Sequence, residues 1–411
     1  MRWLGLLSVA AFSAAIGVPA QSVEPSPLTT VHFGDDLTFV RHYTQAIVLT
    51  DVAGKAQIAV VPAWQGRVLT SSALGKKGLS FGWINRKLIA SRATLTHFNP
   101  LGGEDRLWLG PEGGQFSIYF AKGAPFDLEH WYVPKALDTL PFHVRHTARD
   151  SLSLEARFAL KNYSGTPFQV LVNREVRILE PGTAWQALGV QPREAVSLVA
   201  YESRNTLTNA GARAWKKDTG LLSLWVLGMF NPSEATTIVV PIKPGPVTEL
   251  GKKVTSDYFG MVPSGRLKVT ESAVFLRADG QFRSKVGINA KRSLAKLGSY
   301  DALHHALTIV QFEQPAGVTE YVNSLWKLQP DPFAGDAANA YNDGPPAAGV
   351  PPMGPFFELE SSSPAAALGP GASISHTHRT IHLIGPQVDI DRIAKAVLGV
   401  SLAQIMGAFG G

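Results

Sequence analysis

Residues 151–161 place Leu152, Leu154, Ala156, Phe158 and Leu160 at every second position, with Ser153, Glu155, Arg157 and Ala159 between them. Side chains of an extended chain point alternately to opposite faces, so this period of two defines a strand with one apolar face. A lone hairpin cannot keep such a face dry; it needs further strands and a second layer. The turn Asn162-Tyr163-Ser164-Gly165 and the returning run 168–178 supply an antiparallel partner. The same script recurs along the chain. Residues 46–49, the turn 51–54 and residues 56–61 read as a hairpin, 64–69 begins a further strand, and 221–230 and 236–242 continue the pattern. Gly (39) and Pro (28) are spread throughout rather than clustered, as many short strands and turns require. The reading is all-β. One segment departs from it: Ile390, Ile393, Val397, Leu398, Leu402 and Ile405 recur at helical spacing and predict a short C-terminal helix.

The remaining organisation follows from the ends. Arg2, the apolar run 4–16 and Val18-Pro19-Ala20 have the order of a signal peptide over residues 1–20, with a run too short to span a bilayer comfortably. Residues 21–30 read as a linker to a first strand near Val31, 31–385 as one sandwich domain and 386–411 as a helical tail. The expected location is periplasmic or secreted, with no membrane span after cleavage. Cysteine is absent, which excludes disulfides, thiolate metal sites and a cysteine nucleophile. The net charge of +6 is scattered, with no Lys/Arg block to suggest nucleic acid. No metal-ligand spacing stands out, since His304-His305 lacks the HExxH pattern, and no metal or cofactor is expected.

Two stretches concentrate chemistry. Residues 355–383 carry Glu358 and Glu360 on one run and His376, His378 and His382 on another, joined by a loop through Gly369-Pro370-Gly371. Even spacing puts the two acids on one strand face and the three imidazoles on one face of the next. If both faces meet a cleft, the residues offer acid–base groups and donors suited to a polyol. Residues 97–120 hold His97, Asn99, Glu104, Asp105, Arg106, Trp108 and Glu112 among the pairs Gly102-Gly103 and Gly113-Gly114. Forked guanidinium donors, carboxylate acceptors and a flat indole match the polar edges and apolar face of a pyranose. A structural crossing held by a salt bridge, with Trp108 in the core, is the competing reading. Asn173 and Arg174 in mid-strand, and Asp257 and Arg283 after turns, are further candidates, each with a plain structural alternative as a paired or turn-capping group. Residues 126–132 are a further candidate wall, and residues 330–355, poor in large apolar side chains, read as a long exposed loop.

Three segments, FNPLGGEDRLWLGPEGGQFSIYF, LKNYSGTPFQVLVNREV and FELESSSPAAALGPGASISHTHRTIHL, resemble the galactose mutarotase-like superfamily, which includes aldose 1-epimerases, and within it a group of secreted bacterial proteins. The resemblance implies a large antiparallel β-supersandwich with a sugar cleft. It also implies a glutamate base before a Pro-Gly turn, where Glu360 stands with Glu358 as its neighbour, and a sugar-anchoring arginine, where Arg106 stands. The epimerases' Asn-His pair falls on Asn173-Arg174, and an arginine cannot cycle a proton as imidazole does. Mutarotation needs a base at the anomeric hydroxyl and an acid at the ring oxygen. With Glu360 as base, the acid would come from His97, His376 or His378. The expected function is a secreted carbohydrate-binding protein that takes a sugar or sugar derivative. An aldose epimerase using Glu360, and an accessory domain of polysaccharide processing, are the alternatives.

Overall fold

The computed structural model describes residues 31–410; the expected signal peptide and linker lie outside them. A ten-stranded antiparallel sheet runs, edge to edge, through Leu267–Val269, Ala273–Arg277, Thr236–Pro241, Lys296–Asp301, Ala306–Phe312, Ser373–Ile384, Ser197–Asn209, Pro167–Ile178, Ser151–Lys161 and His143–Thr147. A five-stranded antiparallel sheet faces it, in the order Ser284–Asn289, Asp336–Asn342, Phe357–Ser362, Ser223–Phe230 and Arg106–Gly110. A three-stranded sheet, Ile47–Thr50, Gln57–Val61 and Arg67–Ser72, completes the β structure. The all-β sandwich expected from the period-two pattern is the observed architecture. Its first hairpin pairs Leu49 with Ile58, and the 151–161 strand pairs Leu152 with Val176 and Phe158 with Val170.

Alternation decides which side chains fill the space between the two large sheets. Phe357 and Leu359 of the short sheet meet Val310, Leu297 and Ile238 of the long one in a dry core. On the long sheet's outer face, Ile381 and Leu383 meet Ile390, Ile393 and Val397 of the helix Gln387–Leu398. Each such fully buried aliphatic side chain contributes about 1.5–3 kcal/mol, which explains why the C-terminal helix, followed by Leu402–Met406, is part of the same compact unit as the sandwich. Among the described residues, no single helix is long and apolar enough to cross a membrane.

Two expectations change. The segment after Val31 is a helix, Phe33–Tyr43, not a strand. Phe33, Leu37 and Val40 recur at helical spacing and are buried, and Asp35 and Asp36 sit in the first turn where the helix dipole favours them. The stretch 330–355 is not one loop. Asp336–Asn342 is an interior strand, buried from Ala337 onward. Its small alanines suit a strand enclosed between two neighbours, and low hydrophobic content alone made it look exposed. The loop proper is 343–356.

Candidate functional site

The short sheet has two faces, and the sequence alternates between them. Odd positions of Phe357–Ser362 turn to the dry core. Even positions turn away from it, and there the register builds a polar floor. Glu358 stands opposite Met229 on one side and Tyr341 on the other, Tyr341 opposite Lys285, Glu360 opposite Leu227, Leu227 opposite Arg106, and Trp225 opposite Trp108. Over this face Phe98, Leu128, Trp131, Phe259, Trp326 and the loop 344–353 raise walls around an open hollow.

The floor is ionic and nearly closed to water. An Arg106 Nη2–H donates to Glu358 Oε1, and the guanidinium carbon lies 5.2 Å from the centre of the Trp108 ring. Lys285 Nζ–H donates to Glu360 Oε2 at 3.0 Å, and Trp225 Nε1–H donates to the same oxygen at 2.8 Å. The Lys285 ammonium also sits 4.6 Å from the Trp225 ring centre. Among the described residues, several buried polar atoms of this region have no protein partner: Arg106 Nε and Nη1, Glu360 Oε1, and the indole nitrogens of Trp108 and Trp131. An unpaired buried donor or acceptor costs about 1–3 kcal/mol, so this polar floor is kept at a cost to stability.

Burial shifts the titrations here. It pushes the Glu358 carboxyl up to about 8, the Arg106 charge opposing it and Glu360 adding to it. Glu112 is raised by burial, with Lys285 opposing. Burial alone would lower Lys285, but Glu360 and Glu112 outweigh it and hold the ammonium charged. The set can therefore present a fixed cation, fork-shaped donors, a carboxyl that carries a proton near neutral pH and aromatic faces. Among the described residues no group of three or more histidines and carboxylates has metal-ligand geometry.

Of the residues read from the sequence, Arg106, Trp108, Glu112, Arg283 and Glu358 line the hollow, with Glu360 beneath, bonded to the lining residues Lys285 and Trp225. The imidazoles are elsewhere. Their strand belongs to the long sheet, the acids' strand to the short one, and the loop between them crosses the sandwich. Ser361, on the face opposite Glu360, shares its hydroxyl with His376 Nε2 at 2.7 Å and His378 Nδ1 at 2.8 Å inside the core. Burial drives His376 down to about 3 and His378 to about 4, so both are neutral. His382 bonds Glu104 at 2.6 Å and Thr308 at 2.9 Å, both within the core. Asp105 pairs with Arg174 at 2.6 Å, and Arg174 also reaches Asn205 and the Gly66 carbonyl. Glu104, Asp105, Arg174, His376 and His378 thus hold the two sheets together across their interior and do not reach the hollow. Asn173 is exposed and bonds Glu155, Asp257 is exposed near Lys327, Asn99 pairs with Asp138, and His97 stacks on Tyr132; none of the four lines the hollow. Lys285 was legible only as part of the polar–aromatic cluster 282–285, with turn capping as its alternative, and Trp225, Trp326 and Tyr341 were not singled out from the sequence as site residues. For Lys285, Trp225 and Tyr341 the signal is a position in step on a strand, which becomes legible once the strand order is known, whereas Trp326 lies in a connecting loop.

A family model of unknown function, DUF6786, matches residues 31–409. No curated protein matches the chain. Similar solved structures include a galactose mutarotase-like protein from Lactobacillus casei (11% identical, TM-score 0.47, covering 82% of this chain and 100% of that one). Others are a galactose mutarotase related enzyme from Lactobacillus acidophilus (8%, TM-score 0.44, 82% and 97%) and a protein from Synechocystis (13%, TM-score 0.45, 84% and 96%). The sandwich itself stands on the strand pairing of this chain. With the match running from the first described helix to the last, the chain belongs to the DUF6786 family, a family of unknown function.

Proposed function

We propose that the protein binds a carbohydrate in the hollow over the short sheet. The observation that carries this is the pairing of a polar floor, the Lys285–Glu360 ion pair and the hydrogen-bonded Arg106–Glu358 pair, with indole walls from Trp108, Trp131 and Trp225. A pyranose presents hydroxyls around its edge and C–H groups on its face. The Arg106 guanidinium and the Glu358 carboxyl line the hollow and can exchange hydrogen bonds with hydroxyls, while an indole covers the apolar face. The apolar leader supports export, so the sugar would be met outside the cytoplasmic membrane. Titration calorimetry against free hexoses and methyl glycosides tests the reading, with Arg106→Met as control. Saturable heats that vanish in the variant support it; silence across the panel overturns it.

A second reading, an aldose epimerase, is favoured by the titration of Glu358. A carboxyl kept protonated near neutral pH beside a second carboxylate is the arrangement acid–base catalysis uses. Glu360 would take the anomeric hydroxyl proton and the Glu358 carboxyl would give its proton to the ring oxygen, with the protons returned on ring closure. Polarimetry on freshly dissolved galactose and glucose separates the two readings. Acceleration over buffer that is lost in Glu360→Gln establishes turnover, and its absence leaves binding alone.

A further inference from the structure

The hollow changes character with depth. At its floor Arg106, Glu112, Lys285 and Glu358 are all buried. At its opening six apolar side chains converge: Leu128 (44% exposed), Met353 (38% exposed), Phe259, Trp326, Pro346 and Pro351. Arg283 is the charged residue at this level, and its guanidinium carbon lies over Phe259, 3.7 Å from the ring centre. Single exposed apolar residues are ordinary on any surface; a ring of them around one opening above a polar floor marks a binding site.

A free hexose seated on the floor would engage Arg106 and Glu358 and leave that rim facing water. Resting on the carbohydrate reading above, we infer that the ligand is a glycoside with an aromatic aglycone, its sugar on the ionic floor and its aryl ring at the rim. The rim favours a flat ring over a flexible chain. Phe259 meets Trp326 edge to face at 6.0 Å and 90°, and Trp326 stacks against Trp131 at 5.9 Å and 25°. Another ring can add to such a cluster by the same offset and edge contacts. The loop side of the rim is already held in place. Asp343 Oδ2 accepts the Gly354 N–H at 2.9 Å, Asp343 Oδ1 accepts the Tyr341 hydroxyl at 2.6 Å, and Phe356 at the loop's end packs on Trp83. Binding therefore orders little that is not already ordered, which favours affinity.

Calorimetry with the wild-type protein compares free galactose and glucose, their methyl glycosides, their nitrophenyl and octyl glycosides in both anomers, and nitrophenol alone. The expected result is a nitrophenyl glycoside bound about tenfold or more tightly than its methyl counterpart, the gain expected from burying an aromatic ring. Leu128→Ser/Met353→Ser, two exposed substitutions, should remove most of that gain. Equal affinity for methyl and nitrophenyl glycosides overturns the inference and leaves the carbohydrate reading standing. An octyl glycoside that binds as well as the nitrophenyl one overturns the aromatic assignment. Silence from every sugar, or nitrophenol binding as tightly as its glycosides, overturns the carbohydrate reading and the inference with it.

Discussion

Lys285 and Glu360 form an ion pair, 3.0 Å apart, at the base of the hollow, with both side chains almost wholly removed from water. Such a pair contributes little net stability when intact, because desolvating two charges offsets their attraction, yet losing one partner strands the other. Lys285→Met should therefore destabilise the protein by about 3–5 kcal/mol, read from urea midpoints at constant slope. Glu360→Gln keeps the shape and a hydrogen-bond acceptor, so its loss should be smaller, while sugar affinity falls. A Lys285→Met protein as stable as wild type would show that the carboxylate has another partner.

Glu358 makes stability depend on pH in the direction opposite to an ordinary salt-bridged acid. Its folded value, about 8, lies above the usual 4.5 because burial penalises the charge. The folded state therefore holds a proton that the unfolded state releases. This contribution is complete below about pH 4.5 and is lost as pH rises to about 8. Glu358→Gln should flatten the decline in denaturant midpoint between pH 7 and pH 8.5. An unchanged decline would place the titration in another group.

His376 and His378 act the other way. Both are held below 6.5 by burial, so the unfolded chain takes up protons that the folded chain refuses. Their contribution is present above pH 6.5 and is lost as pH falls toward 4 and then 3. Between pH 6.5 and 4.5 two imidazoles oppose one carboxyl, and the net expectation is loss of stability on acidification. His378→Asn should make the midpoint less steep over that interval, as fluorescence-monitored unfolding would record.

Arg174 separates structure from site. Its guanidinium bonds Asp105, Asn205 and the Gly66 carbonyl inside the sandwich, away from the hollow. Arg174→Lys cannot reproduce that planar set of donors. A loss of about 3–5 kcal/mol is expected, with sugar affinity unchanged under conditions where the variant is folded. Loss of affinity in a folded variant would return Arg174 to the binding machinery.

The sequence by itself determined the layers and most of the chemistry on them. Alternation in 151–161 and its return strand specified antiparallel sheet, helical spacing after Asp389 specified the terminal helix, and Glu358, Arg106 and Trp108 stood out as groups too polar or too large to leave unexplained. Only the tertiary structure decided which strands share a sheet. Glu360 and Ser361 are neighbours in the chain, yet one bonds Lys285 under the hollow and the other bonds two histidines in the core. A period of two says that adjacent residues part company; it carries no sign to say which face is covered by a second sheet and which is left open. That sign came from pairing Phe357–Ser362 with strands distant in sequence, a choice fixed by the packing of the whole sandwich.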